Sequence, residues 1–188
     1  MIVVTGGAGF IGSALIWKLN ELGHEDILVA DRLGTGGKWK NLAKRRFSGI
    51  MHKDDLLPWL TTNLSHLDID AVFHLGASSS TTETDVDYLV RNNLNYSQRL
   101  WELCADYGVP FIYASSAATY GAGERGYDDN PEGIPQLRPL NPYGFSKQTF
   151  DAWALRQRRK PPFWAGLKFF NVYGPQEYHK GSQSSVVV

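Results

Sequence analysis

The sequence predicts an α/β fold, a doubly wound parallel sheet, on three observations. Short continuous apolar runs alternate with segments of helical spacing, which is how strands buried on both faces and their crossover helices read. A glycine-rich turn joins the first such run directly to the first helical segment. Glycine or proline stands just past the end of each helical segment, where chains leave the helix.

In chain order, the first strand covers residues 2–5 and is followed at once by a helix over 10–22. Its Ile11, Leu15, Ile16 and Leu19 share one face, and Gly23 ends it. Strands over 27–31, more weakly 49–51, and 71–75 come next. A helix over 85–107 carries Leu89, Val90, Leu94, Leu100, Trp101 and Cys104 to a stop at Gly108-Val109-Pro110. A strand over 111–115, a helix from 143 to about 159 halted by Pro161-Pro162, and a strand over 166–170 complete the series. Right-handed crossovers of this length place helices on both faces of one sheet. Residues 128–138, with Pro131 and Pro135, read as a surface loop.

The chain has 188 residues, 43% of them hydrophobic, with 19 Lys plus Arg against 19 Asp plus Glu. A chain of this size can bury roughly 70% of its unfolded surface, enough for a real core. The neutral total gives no basic footprint for nucleic acid, and the basic run at 156–160 reads as a solvated helix end complementing the macrodipole. Cys104, the only cysteine, excludes an internal disulfide and reads as a small core residue. No apolar run approaches the ~20 residues that span a bilayer, and the start lacks the basic residues of an export signal. A cytoplasmic protein without a membrane partner is expected. No His, Cys, Asp or Glu spacing suggests a metal. The final Val186-Val187-Val188 is an apolar run that simply stops, so the chain is expected to be an incomplete piece.

Thr5-Gly6-Gly7-Ala8-Gly9-Phe10-Ile11-Gly12 satisfies both G-x-x-G-x-x-G and, from Gly7, G-x-G-x-x-G. Glycines there allow the tight turn, the approach of backbone to a pyrophosphate and the packing of helix on strand, with the anion at the helix N-terminus. The flanking strand and helix, and Asp31 placed to bind ribose hydroxyls at the end of the second strand, make this a dinucleotide turn. Gly6, Gly9 and Gly12 are its candidate cofactor residues. Asp31 alone suggests NAD, because a carboxylate repels a 2′-phosphate. Arg32, Lys38 and Lys53, in this connection and the next, favour NADP with NAD still usable.

Tyr143 and Lys147 stand four apart at the start of a helix, hence on one face, and Ser115-Ser116-Ala117 follows a strand at the sheet edge where such folds bind ligands. A phenol with a pKa near ~10 must fall to ~7 to act as a base, which takes ~4 kcal/mol. A lysine charge at ~4 Å supplies about that much at an effective dielectric near 20. Ser116 is expected to hold the reacting oxygen. Tyr143, Lys147 and Ser116 are therefore the candidate catalytic group.

With these residues assembled, the chain resembles the extended short-chain dehydrogenase/reductase family over essentially its whole length. Within it the chain is similar to the branch that inverts C6 of an ADP-linked heptose for the lipopolysaccharide inner core. Phe73-His74-Leu75-Gly76-Ala77-Ser78-Ser79-Ser80-Thr81-Thr82-Glu83, Asn92-Asn93, Asn171-Val172-Tyr173-Gly174-Pro175 and His179-Lys180-Gly181-Ser182 carry that likeness. The resemblance implies cofactor contacts at Phe10, Ile11, Asp31, Arg32, Lys38, Lys53, Leu75, Gly76, Ala77, Ser78, Ser79, Asn92, Lys147 and Val172. It implies substrate contacts at Asn171 and Ser182, and acid/base roles for Tyr143 and Lys180. Arg32 stands where the family has a smaller polar residue.

It further implies an NADP-dependent isomerase that withdraws a hydride from C6 and returns it to the opposite face, with an ADP-heptose-type substrate and a homo-oligomeric full-length enzyme. An NAD(P)-binding Rossmann domain is expected over 1–170 and the start of a substrate-binding region over 171–188, the C-terminal substrate domain being largely missing. Cofactor binding with weak or no turnover is the expectation for this polypeptide alone. Plainer roles stay open: residues 78–82 as a polar loop capping the next helix, Asn92 as a local hydrogen bonder, Lys180 as a solvated lysine, His74 as a satisfied strand-end residue. Among other functions, a nucleotide-sugar 4-epimerase remains open. A 4,6-dehydratase wants an acid beside Ser116 where Ala117-Ala118-Thr119 offers none, and a non-catalytic dinucleotide module does not need Tyr143 with Lys147.

Overall fold

The computed structural model describes residues 1–175 and 177. The chain forms two compact units, one made of Met1–Gly76 with the described residues from Asn171 onward, the other of Ala77–Phe170.

The first unit is a parallel sheet in the order β3-β2-β1-β4. Its strands are β1 (Ile2–Thr5), β2 (Ile27–Asp31), β3 (Gly49–His52) and β4 (Ala71–His74). Ile2 pairs with Ile27 on one side and Ala71 on the other, and the register runs on to Thr5 between Ala30 and His74. Every residue of β1 and β2 is buried, which is why both read as unbroken apolar runs. Ile2, Val4, Ile27 and Val29 pack with Ala8, Ile16, Leu19 and Leu42 in one cluster. Helix α1 (Phe10–Glu21) ends as expected: Gly23 takes φ +88°, and the His24 and Gly23 amides donate to the Leu19 and Asn20 carbonyls at 2.9 and 3.0 Å. This is a Schellman closure.

Helix α2 (Lys53–Asn63) was not anticipated; the sequence reading placed Lys53 in a connection. Pro58 lies inside it, which costs one helical hydrogen bond and masks the pattern. Asp54 and Asp55 in the first turn and buried Leu56 and Leu60 one turn apart hold the helix nonetheless.

In the second unit, β5 (Phe111–Ser116) and β6 (Trp164–Phe169) pair in parallel from Phe111↔Trp164 to Ser116↔Phe169. β6 starts earlier than the expected residue 166 because Trp164 and Ala165 have partners on β5. The connection between them includes α5 (Pro142–Arg156). The single helix expected over 85–107 is three consecutive segments: α3 (Val86–Leu89), a π-helical turn (Val90–Asn95) and α4 (Tyr96–Tyr107). Gly108 ends α4 in the left-handed region at φ +70°.

The core of this unit centres on Trp101, 1% exposed, which meets Phe111, Phe150, Trp153 and Trp164 edge to face at 5.0–6.3 Å. Cys104 is buried and its thiol is pushed up to about 12 by desolvation. Arg159, in the basic run past α5, pairs with Asp106 at 2.8 Å. No helix among the described residues is long and apolar enough to cross a membrane.

Replacing Trp101 with Ala is expected to cost about 3–5 kcal/mol, seen as a lower urea midpoint at unchanged slope. A loss below about 1 kcal/mol would show that the ring cluster does not organise this unit.

Candidate functional site

The glycine turn of the first unit is built from backbone meeting backbone. Gly6 has φ +67°, and a Cβ there would stand 2.6 Å from Gly76 Cα. A Cβ on Gly12 would stand 2.2 Å from the Gly6 carbonyl oxygen. The Gly6 amide donates to Ala30 at 2.8 Å and its carbonyl accepts from Gly9 at 2.9 Å. Thr5 closes the other side: its hydroxyl is 2.7 Å from His74 Nδ1 and accepts the Gly76 amide at 3.1 Å. His74 is thus the satisfied strand-end residue that the sequence left open.

Helix α1 starts from Gly9 with no side-chain cap and no acid in its first turn. By contrast, α2, α3 and α5 are capped by His52, Asp85 and Asn141. An uncapped helix start behind a turn too tight for side chains fits a diphosphate, since the terminal amides and the macrodipole both favour an anion. Asp31, 6% exposed, accepts the Ala8 amide at 2.8 Å and the Arg32 amide at 2.7 Å. The Lys38 ammonium pairs with the same carboxylate.

Arg32 is exposed, and Lys53 donates to Asp54 at 2.5 Å. The Asp54 carboxyl is held below its ordinary value, first by that bond and then, against desolvation, by the charges of Lys53, His52 and Arg32. The three cations therefore divide: Lys38 on Asp31, Arg32 and Lys53 around Asp54. Leu75 and Gly76 follow β4. Asn171 is exposed and Val172 half-buried, and Gly174 just beyond them lies against the Phe10 ring, where a Cβ would be 3.4 Å away. Lys180 and Ser182 lie outside the described residues.

In the second unit, Ser78 and Asn92 converge on a residue that the sequence named only beside Asn92, with no role of its own. Asn93, 2% exposed, accepts from the Ser78 amide and from Asn92 Nδ2, each at 2.9 Å. It donates to the Ser78 carbonyl at 3.0 Å and to Ser146 Oγ at 3.1 Å. The Asn-Asn pair inside a helical run was its signal. Ala77 is half-buried and Ser79 exposed. Asp85, not the polar run at 78–82, caps α3, and Glu83 accepts the Thr84 and Asp85 amides just ahead of it at 2.9 Å each.

Ser116, Tyr143 and Lys147 come together where α5 begins beside the end of β5. Asn141 caps α5 by accepting the Gly144 amide at 2.7 Å, with Pro142 in the first turn. Gly144 lets the helix approach: a Cβ there would be 2.7 Å from the Ala118 carbonyl. Tyr143 is 9% exposed and Lys147 5%. Lys147 donates to the Ala114 carbonyl at 2.7 Å.

The electrostatics differ from the simple expectation. Burial pushes the Tyr143 phenol above its ordinary value, the Ser116 hydrogen bond draws it back, and the Asp151 charge adds to the rise. The downward influence comes from Ser116, where the sequence argument assigned it to Lys147. Burial in turn lowers Lys147 to about 8, opposed by Asp151. Asp151 was also missed, although its spacing of four from Lys147 repeats the Tyr143–Lys147 interval. Among the described residues no group of His, Cys, Asp or Glu is arranged to hold a metal.

The pattern of the NAD dependent epimerase/dehydratase family matches residues 2–188. An ADP-L-glycero-D-manno-heptose-6-epimerase of Fusobacterium nucleatum is 55% identical over 189 residues, covering 100% of this chain and 57% of that protein. The protein of that name from Alkalilimnicola ehrlichii is 47% identical, covering 100% and 58%. Among solved structures, the Helicobacter pylori ADP-L-glycero-D-manno-heptose-6-epimerase superposes with a TM-score of 0.81 at 31% identity, over 99% of this chain and 60% of that one. A Bacillus cereus UDP-glucuronic acid 4-epimerase in complex with NAD gives 0.73 at 29% identity, over 93% and 57%. The chain thus spans somewhat over half the length of the relatives it matches. Together with the strand order of the first unit, these likenesses establish the doubly wound, Rossmann-type parallel-sheet fold.

The buried lysine has a consequence for stability. Its pKa of about 8 in the folded chain lies below the ordinary 10.5, so the unfolded chain binds its proton to higher pH. Stability from this group therefore rises between about pH 8 and about pH 10.5 and is lowest below that window. Comparing urea unfolding with that of Lys147→Met at about pH 7 and about pH 10 should show Lys147 gaining relative to Met at the higher pH. An unchanged difference would show a lysine that titrates as if in water.

Proposed function

The chain belongs to the NAD dependent epimerase/dehydratase family, and we propose that it is the cofactor-binding portion of a cytoplasmic enzyme that inverts C6 of an ADP-linked heptose. Such an enzyme would supply heptose for the lipopolysaccharide inner core. The observation that carries the reading is the buried Tyr143 beside Ser116, with the buried lysine one helical turn on. A module that only bound a dinucleotide would have no use for a desolvated phenol and ammonium, since each costs stability unless it serves a purpose. The 55% and 47% identities to two heptose epimerases, each over the whole of this chain, favour the heptose over another sugar nucleotide.

The residues present fit a dinucleotide. Gly6, Gly9, Phe10, Ile11 and Gly12 would cradle its diphosphate at the N-terminus of α1, with Asp31, Arg32, Lys38 and Lys53 at the adenosine ribose. The further cofactor contacts proposed are Leu75, Gly76 and Val172 in the first unit and Ala77, Ser78, Ser79, Asn92 and Lys147 in the second, and Asn171 and Ser182 are proposed to meet the substrate. NADP is the favoured form because the Asp31 carboxylate is already engaged by two amides and offset by Lys38, while Arg32 next to it and Lys53, paired with Asp54 beside the Asp31 ladder partner His52, add the positive charge that a 2′-phosphate would meet. NAD is the alternative. When bound, the nicotinamide accepts a hydride from C6 and gives it back, so no net oxidation results.

C6 of a heptose carries a secondary hydroxyl, so loss of hydride and proton leaves a ketone there. Tyr143 would take or return the hydroxyl proton on one face while Ser116, whose hydrogen bond favours the phenolate, holds the oxygen, with Lys147 one helical turn on. Inversion needs a proton partner on the opposite face, the role proposed for Lys180. The full-length enzyme is proposed to be a homo-oligomer.

Tyr143→Phe, in the polypeptide that carries this chain in the cell, is expected to slow epimerisation of ADP-heptose by about 10²–10⁴-fold; an undiminished rate would overturn the reading. Cofactor specificity has its own test. Arg32→Ala combined with Lys53→Ala should weaken NADP binding about tenfold or more and leave NAD binding nearly unchanged, measured by nucleotide fluorescence titration. An unaltered NADP/NAD ratio would reject the phosphate assignment.

A further inference from the structure

We infer that Asp151 is a positioning residue for the proposed reaction: its buried carboxylate ties α5 to β5 and β6, and thereby sets where the Lys147 ammonium and the Ser116 hydroxyl stand. Asp151 is 3% exposed and lies one helical turn beyond Lys147, as Lys147 lies one turn beyond Tyr143, so all three share a face of α5. One carboxylate oxygen accepts the Tyr113 hydroxyl at 2.9 Å. The other accepts the Ser115 hydroxyl at 2.6 Å and the Lys168 ammonium at 2.8 Å.

Tyr113 and Ser115 alternate onto one face of β5, and their partners across the ladder on β6 are Gly166 and Lys168. Gly166 is the space that the tyrosine uses: a Cβ there would stand 2.4 Å from the Tyr113 hydroxyl. The strand therefore carries a glycine where a side chain would push Tyr113 off Asp151.

The anchoring continues to the reacting end. Lys168 also donates to Thr119 Oγ1 at 2.7 Å, and Thr119 donates to the Ser116 carbonyl at 2.8 Å. A chain of hydrogen bonds thus runs from Asp151 through Lys168 and Thr119 to Ser116, whose side chain bonds Tyr143. Lys147 is held to the same strand through the Ala114 carbonyl.

Hydrogen bonding alone does not explain a carboxylate here, because burying a charge is costly even when it is paired. The charge acts on both groups. It supports the Lys147 ammonium against desolvation and disfavours the Tyr143 phenolate, while Lys168 pairs with it at 2.8 Å. The charged and titratable groups around Lys147 are Tyr143 and Asp151 on α5, Tyr113 on β5, Lys168 on β6, and Tyr120, whose ring lies 5.1 Å from the Lys168 ammonium. From the π-helical turn the uncharged Asn93 donates to Ser146 at 3.1 Å.

This role rests on the reaction proposed above, but its test needs no turnover. In the chain carrying ¹³C-labelled lysine, with Lys147→Met to assign the signal, the Lys147 midpoint is followed by NMR in Asp151→Asn and Asp151→Glu. Asp151→Asn is expected to lower the midpoint by about one pH unit, a tenfold loss of ammonium over amine at fixed pH. Asp151→Glu, which keeps the charge, should restore it. Should Asp151→Asn fold poorly, Lys168→Met, which keeps the Asp151 carboxylate but removes the cation paired with it at 2.8 Å, should raise the Lys147 midpoint instead. A midpoint unmoved in a folded variant overturns the role of Asp151 and leaves the epimerase reading standing. A moved midpoint, with Tyr143→Phe fully active, overturns the reaction on which the role depends.

Discussion

At the first βα turn there is no room for any side chain: Gly6 faces Gly76, and Gly12 sits over the Gly6 carbonyl with a hypothetical Cβ only 2.2 Å away. That contact brings α1 down onto the end of β1 and leaves its first-turn amides without a capping side chain. The same turn is fixed from outside by Asp31, which accepts the Ala8 amide, and by Asn41, which donates to the Ala8 carbonyl at 3.0 Å. β1 has β2 on one side and β4 on the other, which makes the end of β1 a topological switch point, where open parallel sheets bind ligands. An anion at this turn would meet aligned amides at no cost of rearrangement.

The second unit solves a different problem, the burial of charge. Lys147, Asp151 and Lys168 are all withdrawn from water, and each is satisfied by strand carbonyls, hydroxyls or an opposite charge. Desolvation lowers Lys147 to about 8, opposed by the Asp151 charge. The glycine at 166 leaves the room in which the Tyr113 hydroxyl reaches Asp151.

Much of this was legible in the sequence because buried parallel strands announce themselves. Ile2–Thr5 and Ile27–Asp31 appear at their expected boundaries, since both faces are apolar and the glycine turn fixes where α1 must begin. What was hidden depended on interactions that no local pattern encodes. Pro58 disguised α2. The wide turn at 90–95 leaves helical periodicity almost intact, so the π segment read as ordinary helix. Asp151 and Asn93 owe their roles to partners many residues away, Tyr113 and Ser146 among them, and a buried acid cannot be told from a solvated one by spacing alone. The pairing of Lys38 with Asp31 escaped for the same reason, although both residues had been singled out.

The central claim is that the N-terminal end of α1 would receive a dinucleotide's diphosphate, and a crystal structure of the chain grown with NADP tests it most directly. The account predicts the diphosphate oxygens within hydrogen-bonding distance of the backbone amides of Phe10 and Ile11, over the glycine turn. A nucleotide bound elsewhere, or a turn that stays empty at saturating NADP while NAD also fails to bind, would contradict it.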